Sequence, residues 1–222
     1  MPGPSHPDFD VLAQMGKAVR SRLARQPRAR CFKDDRIELY AIEGFVGASA
    51  CQRMMDLIDQ SAEPSCLLQD KPNFIDYRTS SSSDLDQADT CVRNLESRLC
   101  QLTGITASCS EAVQGQRYRC GEYFHEHCDW FDTASDYWSL ESRCGGQRSW
   151  TAMLYLNTVE QGGTTDFTRV ALRIKPRAGV LLLWNNALPD GSPNPYTMHA
   201  ARPVLEGNKY VVTKWFRAHV WQ

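Results

Sequence analysis

The chain has 222 residues, of which 42% are hydrophobic, and a chain of this size can bury a substantial core in one globular domain. Its 25 basic and 26 acidic residues leave a formal net charge of -1, which gives no reason to expect a nucleic-acid partner. No apolar run approaches the roughly 20 residues of a membrane span, and the N-terminus lacks the pattern of a secretory signal, so we expect a cytoplasmic protein without a membrane partner.

The first half of the chain is predicted to be mainly helical. Apolar residues recur at helical spacing in three segments and alternate with polar residues in a fourth. We assign residues 1–30 to a basic N-terminal helix and linker, and residues 31–110 to a helical support region. The predicted elements are a helix over Asp8–Gln26, a strand over Arg36–Gly44, a helix over Gly47–Gln60, a loop over Ala62–Asn73, and a helix that begins at an Asp84 N-cap and ends at Gly104.

Residues 111–222 are rich in short β-type runs separated by Gly, Pro and Asn. At least seven strands after a helical region predict a mainly β protein of the α+β class, with a two-sheet barrel or jelly roll and the N-terminal helices packed outside. Inward-facing residues of such a barrel would line a pocket. With the support region it would form one globular domain over residues 31–222. The predicted strands are Glu111–Cys120, Tyr123–Phe131, Arg148–Asn157, Thr164–Phe167, Gly179–Asn185, Tyr196–Pro203 and Lys209–His219.

The segment from Tyr118 to Phe131 carries the first candidate metal ligands. His127 and Asp129 are two residues apart, so in a strand their side chains project from one face and can share a metal ion. Two histidines and one carboxylate form the ligand set of non-haem Fe(II) oxygenases. The candidate third ligand is His199. His125 lies on the same predicted face, and we interpret it either as a substrate contact or as a polar residue at the pocket rim.

Nine cysteines leave zinc as an alternative metal. Their odd number prevents complete pairing within the chain, and several lie on apolar helix faces, so we predict mostly reduced thiols. The sequence has no CxxC pair, and Cys128 would point away from His127 in a strand, which argues against zinc. The alternative zinc ligands would be Cys120, His125, His127, Cys128 and Cys144.

Lys209 is the candidate cation for an organic co-substrate. A turn at Pro203–Gly207 separates His199 from Lys209, and paired antiparallel strands bring residues on either side of a turn close together. A 2-oxo acid that chelates iron needs a buried cation for its distant carboxylate, which Lys209 would supply. The hydroxyl groups available to complete the hydrogen bonding are those of Tyr118, Tyr155 and Thr165.

Four ordered segments resemble the catalytic domain of the prolyl 4-hydroxylases. They read YRCGEYFHEHCDWF, GGQRSWTAMLYLNTVEQGGTTDF, IKPRAGVLLLWNN and PDGSPNPYTMHAARPVLEGNKYVVTKWF, and Arg78–Ser83 is similar to the family's RTSSS-like loop. The resemblance extends from about Ile37 to the C-terminus. It implies a double-stranded β-helix of the jelly-roll or cupin-like type. It also implies an Fe(II)- and 2-oxoglutarate-dependent dioxygenase that hydroxylates an unactivated C–H bond and releases succinate and CO2.

The resemblance further implies roles for individual residues. His127, Asp129 and His199 match the iron ligands, and Lys209 matches the lysine that holds the 5-carboxylate of 2-oxoglutarate. The implied cofactors are Fe(II), 2-oxoglutarate, O2 and L-ascorbate. The matches near the co-substrate are Tyr118, Thr165 and Tyr155, and those beside a peptide substrate are Arg148 and Trp215. The simpler alternatives are a core aromatic for Tyr155 and Trp215, a turn residue for Thr165 and a surface charge for Arg148.

Three departures from the family concern the substrate. Phe124 stands where a tyrosine is usual, Asp84 where a hydrophobic residue is common, and Arg217 where some members have a histidine. A prolyl residue in a peptide or protein is the expected target, with a free amino acid or small metabolite, or a catalytically silent binding module, as alternatives. A groove between Asp70–Ser83 and Asp132–Cys144 would favour a peptide, and a closed lid a small molecule. The oligomeric state is left open, with a homodimer as one option.

Overall fold

The computed structural model describes residues 8–65 and 77–222. These ranges contain four α-helices and twelve strands. The helices are α1 (Phe9–Leu23), α2 (Ala48–Ser61), α3 (Thr90–Thr103) and α4 (Trp138–Glu141). The strands are β1 (Ala29–Cys31), β2 (Leu39–Ile42), β3 (Glu63–Pro64), β4 (Ser81–Asp84), β5 (Gln114–Tyr118), β6 (Phe124–His127), β7 (Arg148–Tyr155), β8 (Thr165–Phe167), β9 (Leu172–Ile174), β10 (Leu181–Asn185), β11 (His199–Ala201) and β12 (Lys209–Arg217).

The strands form two antiparallel sheets. The large sheet has eight strands in the order β1-β2-β10-β7-β12-β5-β4-β3, and the small sheet has four in the order β6-β11-β8-β9. Antiparallel pairing predominates and three long helices precede β5. The prediction of a mainly β protein of the α+β class is therefore confirmed.

Side-chain alternation along β7 shows how the layers are built. Trp150 and Leu154 pack with the helices on one face of the large sheet, and Met153 and Tyr155 pack on the other face, toward the small sheet. Because successive strand residues point to opposite faces, a strand that is covered on both sides is apolar on both sides. The helices lie outside the two sheets, as predicted.

The N-terminal helix α1 packs into the same core as α2 and α3. Its Val19 and Leu23 are buried, and β1 joins the edge of the large sheet beside β2. We propose that the helical support region and the β region form one domain, to which α1 and β1 also contribute. No helix within the described residues has both the length and the apolar character needed to cross a membrane.

The predicted N-cap of α3 is wrong. Asp84 ends β4, which pairs with β5, and the N-cap is Asp89, whose Oδ1 accepts hydrogen bonds from the backbone N–H groups of Cys91 (2.8 Å) and Val92 (3.4 Å). Asp84 is in a strand because the serine-rich segment pairs with β5. This pairing is between distant segments and cannot be recognised from the local sequence. The C-terminal end at Gly104 agrees with the prediction, since this residue has a left-handed φ of 77°.

Several short elements were also not predicted. β1, β3 and β9 have two or three residues each, too few for a recognisable alternation, and α4 lies within Asp132–Cys144, where no helix was predicted. The predicted strand over Tyr123–Phe131 ends at His127, so Asp129 lies beyond it. The predicted loop over Ala62–Asn73 contains β3, and from residue 66 onward it lies outside the described residues.

The corrected cap can be tested by unfolding. We expect Asp89→Ala to lower the free energy of unfolding by about 1 kcal/mol, because two N–H groups of α3 lose their acceptor. Asp84→Ala is the matched control and should change it by less than about 0.5 kcal/mol, since Asp84 is exposed. Urea denaturation measures both. A larger loss for Asp84→Ala would contradict the assignment.

Candidate metal centre and cavity

His127, Asp129 and His199 lie together at one end of the small sheet. One ligand atom from each side chain lies within 4.8 Å of the other two, and no other group of three or more His, Cys, Asp or Glu in the described ranges meets this criterion. The alternative zinc set is therefore not assembled in this part of the chain. The eight cysteines at described positions form no disulfide.

The three side chains converge for a different reason from the one predicted. β11 pairs with β6 so that His199 stands directly opposite His127, and the two ring centroids are 4.2 Å apart. Asp129 follows the end of β6, in a bend, and is not on the strand. Cross-strand pairing and a bend thus bring the groups together, in place of the i, i+2 spacing of a single strand.

Hydrogen bonds fix which nitrogen of each imidazole faces the centre. Nδ1 of His127 lies 2.8 Å from the carbonyl oxygen of His125, and Nδ1 of His199 lies 2.8 Å from that of Thr197. A carbonyl only accepts, so each Nδ1 carries the proton and each Nε2 has a free lone pair. Burial and the neighbouring His199 lower the pKa of His127 to about 3. The imidazole is therefore neutral at neutral pH, the form that binds a metal.

Aromatic rings hold the two imidazoles in place. Phe124 stacks on His127 with a centroid separation of 3.6 Å and an interplanar angle of 15°. The guanidinium of Arg78 lies 4.9 Å from the centroid of the Phe124 ring, and the ring of Trp184 meets His199 edge-on at 5.1 Å. Such contacts restrict ring rotation. Phe124, which lacks the usual hydroxyl of the family, is thus a packing partner of a candidate ligand.

A buried polar chain orients Asp129. The hydroxyl of Thr151 donates a 2.6 Å hydrogen bond to Oδ2 of Asp129, and Nδ2 of Asn186 donates a 2.9 Å hydrogen bond to that hydroxyl oxygen. Burial alone would raise the pKa of Asp129, but His199, His127, Arg148 and this hydroxyl together hold it below its ordinary value. One carboxylate oxygen is thereby fixed, and Oδ1 is left for a metal.

Sequence reasoning did not find Thr151 and Asn186. The available signal was that Thr151 is polar and shares a face of β7 with Met153 and Tyr155, within a stretch, Trp150–Tyr155, that is otherwise apolar or aromatic. Asn186 follows the end of β10 and carries no comparable signal.

Lys209 is buried at a second position in the same cavity. It is 1% exposed, its Nζ lies 3.4 Å from the Thr165 hydroxyl, and no carboxylate in the described ranges forms an ion pair with it. Tyr155 donates a 2.7 Å hydrogen bond to the same hydroxyl. Tyr118 faces Lys209 across the β5-β12 pair, although its hydroxyl donates to Gln116. Burial lowers the pKa of Lys209 to about 7, against the opposing effect of Asp166.

The cavity between the sheets has a volume of about 560 Å³, within the range of small-molecule and cofactor sites. Its lining includes the three candidate ligands, Lys209, Tyr118, Thr165, Arg148 and Trp215. Tyr155 is fully buried and is not among the lining residues, and its hydroxyl donates to that of Thr165. His125 does not line the cavity; it is exposed, with its ring 5.5 Å from that of Tyr77 and 4.9 Å from that of Tyr123.

Paired charges occupy the part of the cavity around Trp215. Arg148 binds Glu111 through two hydrogen bonds of 2.6 and 2.7 Å, and its guanidinium carbon lies 4.1 Å from the Trp215 ring centroid. Arg217 donates to Glu111 and to Glu141, each at 2.8 Å. Burial would raise the pKa of Glu111, but the two arginines lower it below its ordinary value. The glutamates were not predicted as site residues.

These donors fit a ferrous ion. Two imidazole nitrogens and one carboxylate oxygen converge beside a cavity large enough for further ligands, the donor set typical of non-haem Fe(II) sites. A family model described as the 2OG-Fe(II) oxygenase superfamily matches residues 113–217, which include all three donors and Lys209. The region of residues 113–217 therefore belongs to this superfamily. The protein is an Fe(II)- and 2-oxoglutarate-dependent dioxygenase that uses O2.

Curated relatives of this dioxygenase include several prolyl 4-hydroxylases. Probable prolyl 4-hydroxylase 10 of Arabidopsis thaliana is 29% identical over 201 residues, which cover 80% of this chain and 68% of the relative. Prolyl 4-hydroxylase subunit alpha-2 of Gallus gallus is 36% identical over 141 residues, 63% of this chain and 26% of the relative. The chain thus spans about two thirds of the plant protein and about a quarter of the chicken subunit.

Solved structures confirm the predicted double-stranded β-helix. A viral collagen prolyl hydroxylase from Paramecium Bursaria Chlorella virus-1, in a complex with 2-oxoglutarate, has a TM-score of 0.64 at 24% identity and covers 81% of this chain and 95% of its own. A prolyl hydroxylase from Trichoplax adhaerens, in complex with a hypoxia inducible factor peptide fragment, has a TM-score of 0.59 at 16% identity and covers 97% and 94%.

The hydrogen bonds that orient Asp129 predict that removing the Thr151 hydroxyl lowers the metal affinity. We expect Thr151→Val to weaken Mn(II) binding by about 10- to 100-fold, because the Asp129 carboxylate loses its orienting donor. Thr151→Ser should retain most of the affinity, since the hydroxyl remains. Calorimetric titration with Mn(II) measures the binding constants.

A matched control separates metal binding from stability. Ser149 is also buried on β7, and its hydroxyl donates to the Phe216 carbonyl at 3.0 Å. Ser149→Ala should lower the free energy of unfolding without changing Mn(II) affinity. Wild-type Mn(II) affinity in Thr151→Val would show that the hydrogen bonds from Thr151 and Asn186 do not orient Asp129.

The low pKa of Lys209 predicts a pH dependence of 2-oxoglutarate binding. A bound carboxylate favours the ammonium form and raises the pKa above 7, so binding takes up a proton when the pH exceeds about 7. The apparent affinity should therefore be constant below pH 7 and fall above it, approaching tenfold per pH unit. Calorimetry at pH 8 on the Mn(II) protein, in two buffers of different ionisation enthalpy, measures the proton uptake.

Lys209→Arg is the control for this effect. Its guanidinium remains protonated throughout the pH range, so proton uptake should disappear even if the affinity is lower. The same proton uptake in Lys209→Arg would assign the titration to another group.

Proposed function

We propose that this dioxygenase hydroxylates a prolyl residue in a peptide or protein and releases succinate and CO2. The observation that carries the proposal is that one cavity, which extends to Trp215, contains both the His127–Asp129–His199 donor set and a buried lysine that forms no ion pair within the described residues. The similarity to prolyl 4-hydroxylases supports the choice of substrate.

The proposed roles follow from the positions of the atoms. Nε2 of His127, Nε2 of His199 and Oδ1 of Asp129 would hold Fe(II), and Lys209 with Thr165 would bind the 5-carboxylate of 2-oxoglutarate. When bound, the iron and 2-oxoglutarate supply the reaction with O2, in which the oxo acid is oxidatively decarboxylated and one oxygen atom is transferred to the C–H bond.

The protein's own contribution is orientation and exclusion of water. Phe124 and Trp184 fix the imidazoles, Thr151 fixes the carboxylate, and Met153 and Val211 give the cavity apolar walls. Such a dry, rigid site strengthens electrostatic interactions with the co-substrate and holds the reacting groups in position. Arg148 and Trp215 are the proposed contacts of the substrate.

The paired charges favour a peptide over a free amino acid. A free amino acid carries a carboxylate and an ammonium group, each of which needs an opposite charge when it is buried. Both carboxylate oxygens of Glu111 and the side chain of Glu141 already bind Arg148 or Arg217. Uncharged peptide groups can enter without breaking these ion pairs. The likeness to a Trichoplax enzyme seen with a peptide fragment agrees with this choice.

The presence of Lys209 argues against a catalytically silent module. A lysine that is 1% exposed and without an ion pair in the described ranges is costly to bury, unless an anion is bound there during function. We also propose that L-ascorbate serves as a reductant and that the enzyme works in the cytoplasm. A homodimer and the absence of nucleic-acid and membrane partners stay predictions.

The substrate is tested by mass spectrometry. We expect proline-containing peptides incubated with enzyme, Fe(II), ascorbate and 2-oxoglutarate to gain one oxygen atom and to yield an equal amount of succinate. Free L-proline should react much more slowly. Hydroxylation of free proline but of no peptide would favour the small-molecule alternative, and a lack of succinate formation from 2-oxoglutarate would favour the silent module.

Asp129→Ala should abolish succinate production, because the proposed donor set loses its carboxylate. Glu126→Ala is the matched control: this neighbouring carboxylate is exposed and makes a 3.9 Å ion pair with Arg202, away from the cavity lining. It should retain activity near the wild-type level. Near-normal turnover by Asp129→Ala would refute the donor assignment.

A further inference from the structure

The segment after β6 carries Asp129 but belongs to neither sheet. Residues 128–131 lie between the end of β6 at His127 and the turns that lead to α4. We call residues 128–131 the Asp129 loop. Strand pairing fixes the start of this loop at His127, whereas its end needs a different anchor. The anchor matters for the metal centre, because a ligand that is misplaced by about 1 Å weakens such a site.

Gln147 anchors the end of the Asp129 loop. Its side chain is fully buried; Oε1 accepts a 3.0 Å hydrogen bond from the backbone N–H of Phe131, and Nε2 donates a 2.7 Å hydrogen bond to the Phe131 carbonyl. One amide thus binds both main-chain groups of a residue two positions after Asp129. The loop is therefore fixed at Phe131 without a strand.

Gln147 is itself bound by the N-terminal segment. Its backbone N–H donates a 2.9 Å hydrogen bond to Oδ2 of Asp8, and Nε2 of His219 lies 2.9 Å from Oδ1 of the same carboxylate. Asp8 is 4% exposed and stands at the N-cap position of α1, yet its carboxylate makes no capping hydrogen bond within Phe9–Leu23. An aspartate at this position usually caps its own helix. Here the carboxylate instead joins the start of α1 to the segment before β7.

The backbone next to Gln147 is shaped to admit the Asp8 carboxylate. A Cβ added at Gly146 would lie 2.7 Å from Oδ2 of Asp8, and the φ of Gly146 is +70°. Glycine leaves room for the carboxylate and adopts this backbone conformation without strain, which other residues do not. The contact between Asp8 and Gln147 is therefore closely packed.

Apolar contacts accompany this hydrogen-bonded route. Trp130, the residue after Asp129, has its ring 6.4 Å from that of Phe9, between centroids. It also packs against the apolar cluster that contains Leu12 of α1. The first turn of α1 thus contacts the Asp129 loop directly as well as through Gln147.

We propose that Asp8 is a positioning residue of the metal centre. Through Gln147 it holds Phe131, and it thereby sets the position of the loop from which Asp129 reaches the ion. The proposal rests on the proposed donor set, which includes Asp129. Asp8 lies outside residues 113–217, the region that the family model matches, so the proposal gives the N-terminal segment a role in metal binding.

Metal titration of two Asp8 variants tests this role. Asp8→Ala should weaken Mn(II) binding about tenfold, the lower end of the effect of groups that orient metal ligands. Asp8→Asn should retain most of the affinity, because its amide oxygen can still accept from the Gln147 N–H while its amide nitrogen donates to the other tautomer of His219. The absorption spectrum of the Co(II)-loaded protein depends on the geometry of the donors, so it should change in Asp8→Ala and not in Asp8→Asn.

Val19→Ala is the matched control for stability. Val19 is also a fully buried residue of α1, but it belongs to the core cluster that α1 shares with α2 and α3. Its replacement should lower the urea midpoint of unfolding and leave the Mn(II) affinity and the Co(II) spectrum at their wild-type values. An equal weakening of metal binding in Val19→Ala and Asp8→Ala would show only a loss of stability and would overturn the proposal.

A double-mutant cycle tests the route through Gln147. Gln147→Ala removes both hydrogen bonds to Phe131 and should weaken Mn(II) binding at least as much as Asp8→Ala. If Asp8 acts through Gln147, the double variant should bind Mn(II) no more weakly than Gln147→Ala alone. Losses that add in full would contradict this route.

The outcomes separate this proposal from the donor assignment on which it rests. If Asp129→Ala loses Mn(II) binding while Asp8→Ala binds as tightly as the wild type, the donors are correct and Asp8 does not position them. If Asp129→Ala keeps the wild-type affinity, the donor set is wrong and the role of Asp8 falls with it. Circular dichroism establishes that each variant is folded, and Asp8→Ser replaces Asp8→Ala if the latter does not fold.

Discussion

The pairing of β11 with β6 is the interaction on which the site depends. Its register sets His199 opposite His127, and the bend after β6 then brings Asp129 to the same point. A shift of one residue in this pairing would turn His199 to the opposite face of the sheet. Packing of His199 against Trp184 and Phe167 favours the observed register, because a shifted β11 would turn the imidazole away from these rings.

The two ends of the cavity differ in whether their charged side chains are ion-paired. At one end, the buried Lys209 has no ion-pair partner in the described ranges. This end therefore favours a ligand that carries a negative charge. Around Trp215, arginines and glutamates are paired with each other, so an additional charge would be unfavourable. The cavity therefore fits the proposed dicarboxylate at the Lys209 end and the proposed uncharged peptide at the Trp215 end.

The sequence was most informative where a motif or a long periodic segment decided the structure. The three long helices, the strand-rich second half and the fold class could be predicted, and the spacing of His127 and Asp129 pointed to the residues that converge. Long-range contacts were not accessible. The pairing of the serine-rich β4 with β5, the short helix α4 and the bonds from Arg217 to Glu111 and Glu141 depend on segments far apart in the chain. Their local sequences carry no signal of those contacts.

The hydrogen bonds behind the metal centre form a continuous path from Asp129 to His199. The path begins with the bonds from Asn186 to Thr151 and from Thr151 to Asp129. The backbone carbonyl of Asn186 then accepts a 2.9 Å hydrogen bond from the backbone N–H of Asn194, whose carbonyl accepts one of 2.8 Å from the Thr197 hydroxyl. The Thr197 carbonyl in turn accepts from Nδ1 of His199. The candidate ligands are thus preorganised by the protein alone. Little conformational entropy remains to be lost when a metal enters, so loss and reloading of the ion should leave the empty protein folded and ready to bind again.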